Sequence, residues 1–334
     1  MFDGKKILIT GGTGSLGQAL TRRLLKSNVD SIRIYSRNEN NQVSMASQLN
    51  DERLRFLIGD VRDYPRLIRA MEDIDIVFHA AALKHVPVIE YNPFEAISTN
   101  IIGSQNVVNA CLHEDVEIAV GVGTDKAVSP LNTYGATKLL MEKLFVTASN
   151  YTNPERHKTK FLSLRYGNVL GSSGSVVPKF IKQIRSGEKI TITDPEMTRF
   201  SITMDEALDF ILESTMISKN SEIFIPKLRT YSIMDVKDIL FELIGSVKEE
   251  YTGIRPGEKL HETLINLDEM RYTFEFDDKY IILKSSEIEN KGLEKYEKIK
   301  KADESKPYSS DLTEKIPKNE LKIILKNFLT NYDK

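Results

Sequence analysis

Eighteen residues, GVGTDKAVSPLNTYGATK over positions 121–138, hold the side chains best suited to chemistry. Thr124, Asp125 and Lys126 stand together, and Tyr134 and Lys138 follow in a Tyr-x-x-x-Lys spacing. Residues four apart share one face of a helix, so Tyr134 and Lys138 can address the same bound molecule. An ammonium beside a phenol favours the phenolate, which is what a base working near neutral pH needs. Next to a nicotinamide, such a tyrosine removes a hydroxyl proton as hydride leaves carbon. Asp125 and Lys126 add a second acid–base couple, more than simple alcohol oxidation requires. A ketone acidifies the neighbouring carbon-bound proton, so a base there and an acid at a β-hydroxyl would release water. The plainer alternative is that Asp125 caps a turn and Lys126 is solvated.

These residues need a scaffold that brings a cofactor to them. Lys6–Thr10 is a buried-strand run that empties into GGTGSLG, and Leu16, Leu20 and Leu24 then recur with helical spacing. Strand, glycine loop and helix make a phosphate cradle from Gly11, Gly14 and Gly17, with a pyrophosphate favoured at the helix N-terminus. The second strand, Ile32–Tyr35, ends in Ser36, Arg37 and Asn38 where an NAD site would carry a carboxylate for the ribose. A hydroxyl and a guanidinium suit a 2′-phosphate, so NADP is the expected cofactor. Strand three, residues 55–58, leads to Asp60 and Val61 near the adenine. Strand four, residues 74–78, leads to small residues at Ala80 that let a cofactor approach the backbone. His79 reads as a packed histidine, since neither a carboxylate nor a nucleophile accompanies it. Lys84 and His85 fall on a loop at the carboxyl edge of the sheet.

Residues 117–122 and 160–164 supply strands five and six, and the alternation with helices specifies an α/β doubly wound parallel sheet of Rossmann type. Residues 1–168 are the expected dinucleotide-binding domain, with a strand near 222–226 rejoining its sheet. Residues 169–285 are expected to form a smaller substrate domain, and 286–334 a charged peripheral helix and tail. Two loops, around Thr193–Arg199 and Arg255–Glu258, each carry an arginine as an anionic ligand would require.

Composition limits the alternatives. With 46 basic against 48 acidic residues the formal charge is -2, which argues against a nucleic-acid partner. Cys111 is the single cysteine, so neither a disulfide framework nor a zinc cluster is available, no metal site is expected, and a reducing, cytoplasmic setting fits. The start of the chain lacks a signal-peptide pattern and no apolar run reaches membrane-spanning length.

The segments TGGTGSLG, YSRNE, GDVRD, HAAALKHVPVIEYNP, TNIIGSQNV, GTDKAVSPLNTYGATK, RYGNVLGSSGSVVPKF, TDPEMTRF and RPGEKLHE occur in this order. Together they resemble the extended short-chain dehydrogenases/reductases of the UDP-N-acetylglucosamine 4,6-dehydratase group, over about residues 4 to 265. The similarity is greatest to the configuration-inverting members that open pseudaminic acid and related polysaccharide pathways. Retaining sugar dehydratases carry Asp-Glu where this chain has Asp125-Lys126. The resemblance implies that Tyr134 deprotonates the sugar 4-hydroxyl, that Lys126 takes the carbon-5 proton, that Asp125 assists water loss, and that Thr124 contacts the 4-hydroxyl or the tyrosine. It implies NADP held by Gly11, Gly12, Thr13, Gly14, Ser15, Gly17, Ser36, Arg37, Asn38, Asp60, Val61, Ala80, Lys84, Tyr134, Lys138 and Val169. It implies a UDP-sugar held by Lys84, Asn168, Thr193, Met197, Arg199, Arg255 and Glu258, and a homo-oligomeric assembly. Two positions depart from the pattern: Ser173 replaces an arginine expected to grip the diphosphate, and Asn38 replaces an acid. A UDP-sugar 4-epimerase, or a non-catalytic NADP-binding scaffold, are the alternatives.

Overall fold

The computed structural model describes residues 2–153, 155–171, 175–285, 296–297 and 299–332. The Ser173 departure lies outside them. Six parallel strands, β1 (Lys6–Thr10), β2 (Ser31–Ser36), β3 (Leu54–Ile58), β4 (Ile76–His79), β5 (Ile118–Val122) and β6 (Lys160–Leu164), lie in the order 3-2-1-4-5-6. Successive strand side chains face opposite ways, and here both faces are covered. Ile7 and Ile9 enter one core with Ile76, Phe78, Val120 and Leu162, while Leu8 enters the other with Val77, Ala119 and Phe161. That is why the central strands read as mainly apolar runs, whereas β2 and β3 toward the sheet edge carry Arg33 and Arg55. The strand order reverses between β1 and β4, which opens the crevice where such sheets bind ligands.

Strand Ile223–Pro226 joins β6 in parallel, and the antiparallel hairpin of Thr273–Phe276 and Lys279–Ile282 extends the same sheet. These hairpin residues, expected in the substrate domain, therefore continue the large sheet instead: Phe274 and Ile281 pack into its core. Lys300–Lys301 adds a tenth strand.

The smaller lobe centres on helices Val176–Arg185 and Ile233–Ile244, whose Phe180, Ile181, Val236 and Leu240 share an apolar core. The C-terminal helix Lys318–Tyr332 buries Leu321 and Leu325 in that core. It is part of the lobe rather than a peripheral tail, because an apolar pair four residues apart gives even this charged helix a buried stripe. Among the described residues, no helix is long and apolar enough to cross a membrane.

Candidate active site

The glycine loop bends back between β1 and helix Ser15–Leu24. Gly11 has φ +67°, and a Cβ there would stand 2.8 Å from the backbone of Ala81, so only glycine fits. A Cβ on Gly17 would stand 2.5 Å from Gly12, so this glycine lets the helix close on the strand. The loop borders a cavity of about 760 Å³ that runs along the carboxyl edge of the sheet. Gly11, Thr13, Gly14, Ser15, Gly17, Ser36, Arg37, Asn38, Asp60, Val61, Ala80, Lys84, Tyr134, Lys138 and Val169 all line it; Gly12 does not. Gly12 supports the loop from beneath, against Ile34. The lining of this cavity and the tight glycine bend at its edge fit a dinucleotide. Arg37 is 53% exposed and 3.8 Å from Asp60, which Arg62 holds at 2.7 Å.

A second cavity, of about 370 Å³, lies between the sheet edge and the smaller lobe. The two share Lys84, His85, Thr124, Tyr134 and Asn168, so the phenol and the threonine stand where the two compartments meet. Backbone bonds fix this region: Gly123 N–H donates to Leu164 O at 2.6 Å and Asp125 N–H to Tyr166 O at 3.1 Å. Asn132 caps helix Thr133–Thr147 by accepting from Gly135 N–H at 2.8 Å, which sets the rotation of Tyr134.

Within the turn, Thr124 Oγ1 donates to Asp125 Oδ1 at 2.8 Å. Lys126 Nζ donates to Asp125 Oδ1 at 3.1 Å and to Asn168 Oδ1 at 3.3 Å, and lies 3.4 Å from Glu262 Oε1. Lys126 lines the smaller cavity, whereas Asp125 is buried behind it and lines neither. Burial opposes a charge on Lys126, but Asp125 and Glu262 outweigh it and raise its pKa above the ordinary lysine value.

The phenol departs from the expectation drawn from Tyr-x-x-x-Lys. Burial raises the Tyr134 pKa, and the cation that opposes this is Lys126. Lys138 Nζ instead donates to Val122 O at 2.6 Å, and burial lowers its pKa to about 7 against a weaker pull from Glu142. Four-residue spacing placed both side chains on one helix face but could not show where the ammonium would find its partner.

His79 is packed as read from the sequence. Thr10 Oγ1 and Ser104 Oγ meet its two nitrogens at 2.7 and 2.9 Å, and burial, followed by nearby Lys138, lowers its pKa to about 3.

Of the residues expected to hold the second ligand, Lys84, Asn168, Arg199, Arg255 and Glu258 line the smaller cavity, and Thr193 and Met197 line neither. Met197 is buried in the small-lobe core, where its Sδ accepts from Arg199 at 3.3 Å. The Arg199 donors also go to the carbonyls of Thr198, Lys259 and Leu260 at 2.7, 3.0 and 2.8 Å, so this arginine pins the loop that follows Arg255. Arg255 is exposed and pairs with Glu258 at 3.1 Å.

Sequence reasoning did not single out Glu262 or Arg165. The guanidinium of Arg165, fully buried, grips Glu142 at 2.6 and 3.0 Å and Glu269 at 2.9 and 3.0 Å. It ties the end of β6 to the tyrosine-bearing helix and to the segment after Glu262. Both acids lie far from their partners in sequence, so no local spacing reveals them. No group of three or more His, Cys, Asp or Glu that could hold a metal occurs among the described residues.

This fold and this edge-of-sheet site define an extended short-chain dehydrogenase/reductase. A family model described as polysaccharide biosynthesis protein matches residues 7–284, and the chain belongs to that family. It is 48% identical, over 86% of its length and 85% of the relative's, to the UDP-N-acetylglucosamine 4,6-dehydratase (inverting) of Campylobacter jejuni. It is also 39% identical to the UDP-glucose 4-epimerase of Rickettsia typhi, over 97% of this chain and 96% of that one. The X-ray structure of Pen from Bacillus thuringiensis superposes with a TM-score of 0.90 at 40% identity, covering 98% of this chain and 99% of that chain.

Proposed function

We propose that the protein converts UDP-N-acetylglucosamine to a UDP-2-acetamido-2,6-dideoxy-4-hexulose with inversion at carbon 5, using NADP. The observation that carries this reading is Lys126: an amine backed by a carboxylate, facing the smaller cavity beside Tyr134. The inverting dehydratase of C. jejuni, at 48% identity, supports the same reaction.

NADP held in the larger cavity would supply the hydride acceptor for carbon 4 and, with the hydride going back to carbon 6, would be left unchanged by each turnover. Gly11, Gly14 and Gly17 would hold its pyrophosphate, and Ser36 and Arg37 its 2′-phosphate. Tyr134, at the junction of the cavities, takes the proton of the 4-hydroxyl, with Thr124 beside it. The resulting 4-ketone acidifies carbon 5. Lys126 in its neutral form takes the carbon-5 proton and becomes an ammonium. The same ammonium gives a proton to the carbon-6 oxygen as the carbon–oxygen bond breaks and water leaves. Asp125, which lines neither cavity, acts through Lys126 by stabilising that ammonium at 3.1 Å. With hydride added to carbon 6, a solvent-derived proton entering carbon 5 from the opposite face gives the inverted centre. Lys84, Asn168, Arg255 and Glu258 surround the sugar nucleotide in this reading.

A homo-oligomer belongs to the same reading. Tyr91, Phe94, Ile97 and Ile102 are 88%, 81%, 41% and 45% exposed on the consecutive helical segments Val86–Tyr91, Pro93–Ala96 and Ile97–Ile102, apolar side chains suited to a second copy. The single cysteine, Cys111, is buried and free, in keeping with a cytoplasmic setting.

The test is proton NMR of the purified protein with UDP-N-acetylglucosamine in heavy water and no added cofactor. A carbon-6 methyl signal, a 4-keto sugar and deuterium at carbon 5 are expected, with ring couplings reporting inversion. The R. typhi relative favours a second reading, 4-epimerisation. A carbon-4 epimer with its carbon-6 methylene intact would establish that reading in place of the first.

A further inference from the structure

Glu262 has an environment that a purely architectural acid does not need. It is 3% exposed, and Oε2 has no hydrogen-bond partner among the described residues. Burying a carboxylate oxygen without a partner is costly, and a native site that does so calls for a reason. Arg199 is the obvious structural mate, yet its terminal nitrogens are committed to three carbonyls and to Met197 Sδ. Only its Nε approaches Glu262, at 3.8 Å. The nearer cation is Lys126, 3.4 Å from Oε1.

Hydrogen bonds fix the backbone of Glu262 beside the smaller cavity. Its N–H donates to Ser310 Oγ at 2.9 Å, and Ser310 N–H donates back to Glu262 O at 2.8 Å. Upstream, Asn132 Nδ2 donates to Gly257 O at 2.7 Å and Lys259 Nζ donates to Val128 O, clamping the segment onto the loop before Tyr134.

The geometry points to Glu262 as a positioning residue for Lys126: together with Asp125 it fixes where the amine sits in the smaller cavity. This rests on the dehydratase reading for its catalytic meaning, but not for the ion pair itself. The charged and titratable groups around the amine come from five segments. Asp125 lies on its own turn, Tyr134 on helix Thr133–Thr147, Arg199 and Tyr231 on the paired strands Thr198–Phe200 and Thr230–Ser232, and Lys259 and Glu262 on the clamped loop. The two acids favour the ammonium, while Arg199 and burial oppose it. Removing either acid shifts the balance toward the neutral amine. Because the base form of Lys126 is the one that takes a proton from carbon 5, Glu262 sets the pH at which elimination begins.

Two measurements test this on the full chain. In protein labelled at lysine ¹³Cε, with the Lys126 signal assigned by its loss in Lys126→Met, the wild-type signal should titrate at a pH measurably above the value of about 10.4 of an ordinary lysine. In Glu262→Gln its titration should move down by about one pH unit or more, the effect of losing an opposite charge at this range. In heavy water, the pH limb of deuterium entry at carbon 5 should move down with it. Glu262→Asp keeps the charge but draws it back, so a smaller shift in the same direction is expected, and this variant serves if the glutamine variant fails to fold. A Lys126 signal that titrates identically in wild type and the folded variants overturns the proposal. If wild-type protein shows no carbon-5 exchange at all, the dehydratase reading fails, and the amine titration still decides whether Glu262 governs Lys126.

Discussion

Lys126 Nζ stands 3.1 Å from Asp125 Oδ1, yet only the lysine of this pair faces the smaller cavity. In the proposed reaction the acid therefore acts through the amine and not directly on a ligand. Lys126→Met should reduce water release by about 10²–10⁴-fold, the range for a positioned acid–base group. Hydride exchange at carbon 4 should survive, since Tyr134 and Thr124 stand apart at the junction of the cavities. NMR of the carbon-6 methyl, alongside transfer of deuterium from carbon 4 to added cofactor, separates the two steps. Equal loss of both would remove the division of labour.

The wild-type dehydration rate should rise with pH. Lys126 is held above its ordinary pKa, so the neutral amine is scarce near neutrality and grows as pH increases. Tyr134, whose pKa burial also raises, works in the same direction. A flat profile of kcat from about pH 7 to 9 would show that neither group limits turnover.

The sheet was legible because its central parallel strands are buried on both faces and so read as apolar runs: residues 6–10 and 160–164 coincide with β1 and β6, and the other expected strands differ from the observed ones only at their ends. The glycine bend and the Thr124–Lys126 turn were legible because their residues are adjacent in sequence. What local spacing could not reveal are contacts closed by the fold. Lys138 meets Val122 O rather than the phenol. Glu262 meets Lys126 across 136 positions, and Arg165 meets Glu269 across 104. The C-terminal helix looked peripheral because its charge hides two buried leucines four residues apart.

Arg37 tests the cofactor preference. It is exposed and only loosely paired with Asp60, so it can turn to a 2′-phosphate. Arg37→Ala should weaken NADP binding about tenfold, toward the lower end for a charge-assisted hydrogen bond. NAD binding should change little. Calorimetric titration of both nucleotides checks this, and parallel losses for the two would place Arg37 outside the 2′-phosphate site.

Lys138 should leave a mark on stability. Its pKa is about 7 in the folded protein, below the 10.5 of an ordinary lysine, because burial disfavours the charge. Between those values the unfolded chain binds more protons, so stability contributed at this site rises with pH, by at most about 1.4 kcal/mol per unit. Below about pH 7 both states are protonated and the full penalty is present. In protein freed of nucleotide, the urea midpoint of wild type minus that of Lys138→Met should therefore increase from pH 7.5 to 9.5. A constant difference would mean the ammonium is held charged, with Val122 O as sufficient compensation.

Arg165 offers the sharpest stability test because its removal strands two acids. Glu142 is fully buried and pairs with this guanidinium, and Glu269, 19% exposed, pairs with it while also accepting from Asn266 N–H at 3.1 Å. Arg165→Met keeps the apolar stem but leaves those carboxylates without their partner, which should cost about 3–5 kcal/mol. The triple variant with Glu142→Gln and Glu269→Gln removes the stranded charges and should recover a large part of that loss. Urea unfolding of wild type, single and triple variants measures both quantities. If the triple variant is no more stable than the single one, the network acts by the shape and hydrogen bonds of Arg165, which joins β6 to the Tyr134 helix and to Leu264 O at 2.8 Å, rather than by its charge.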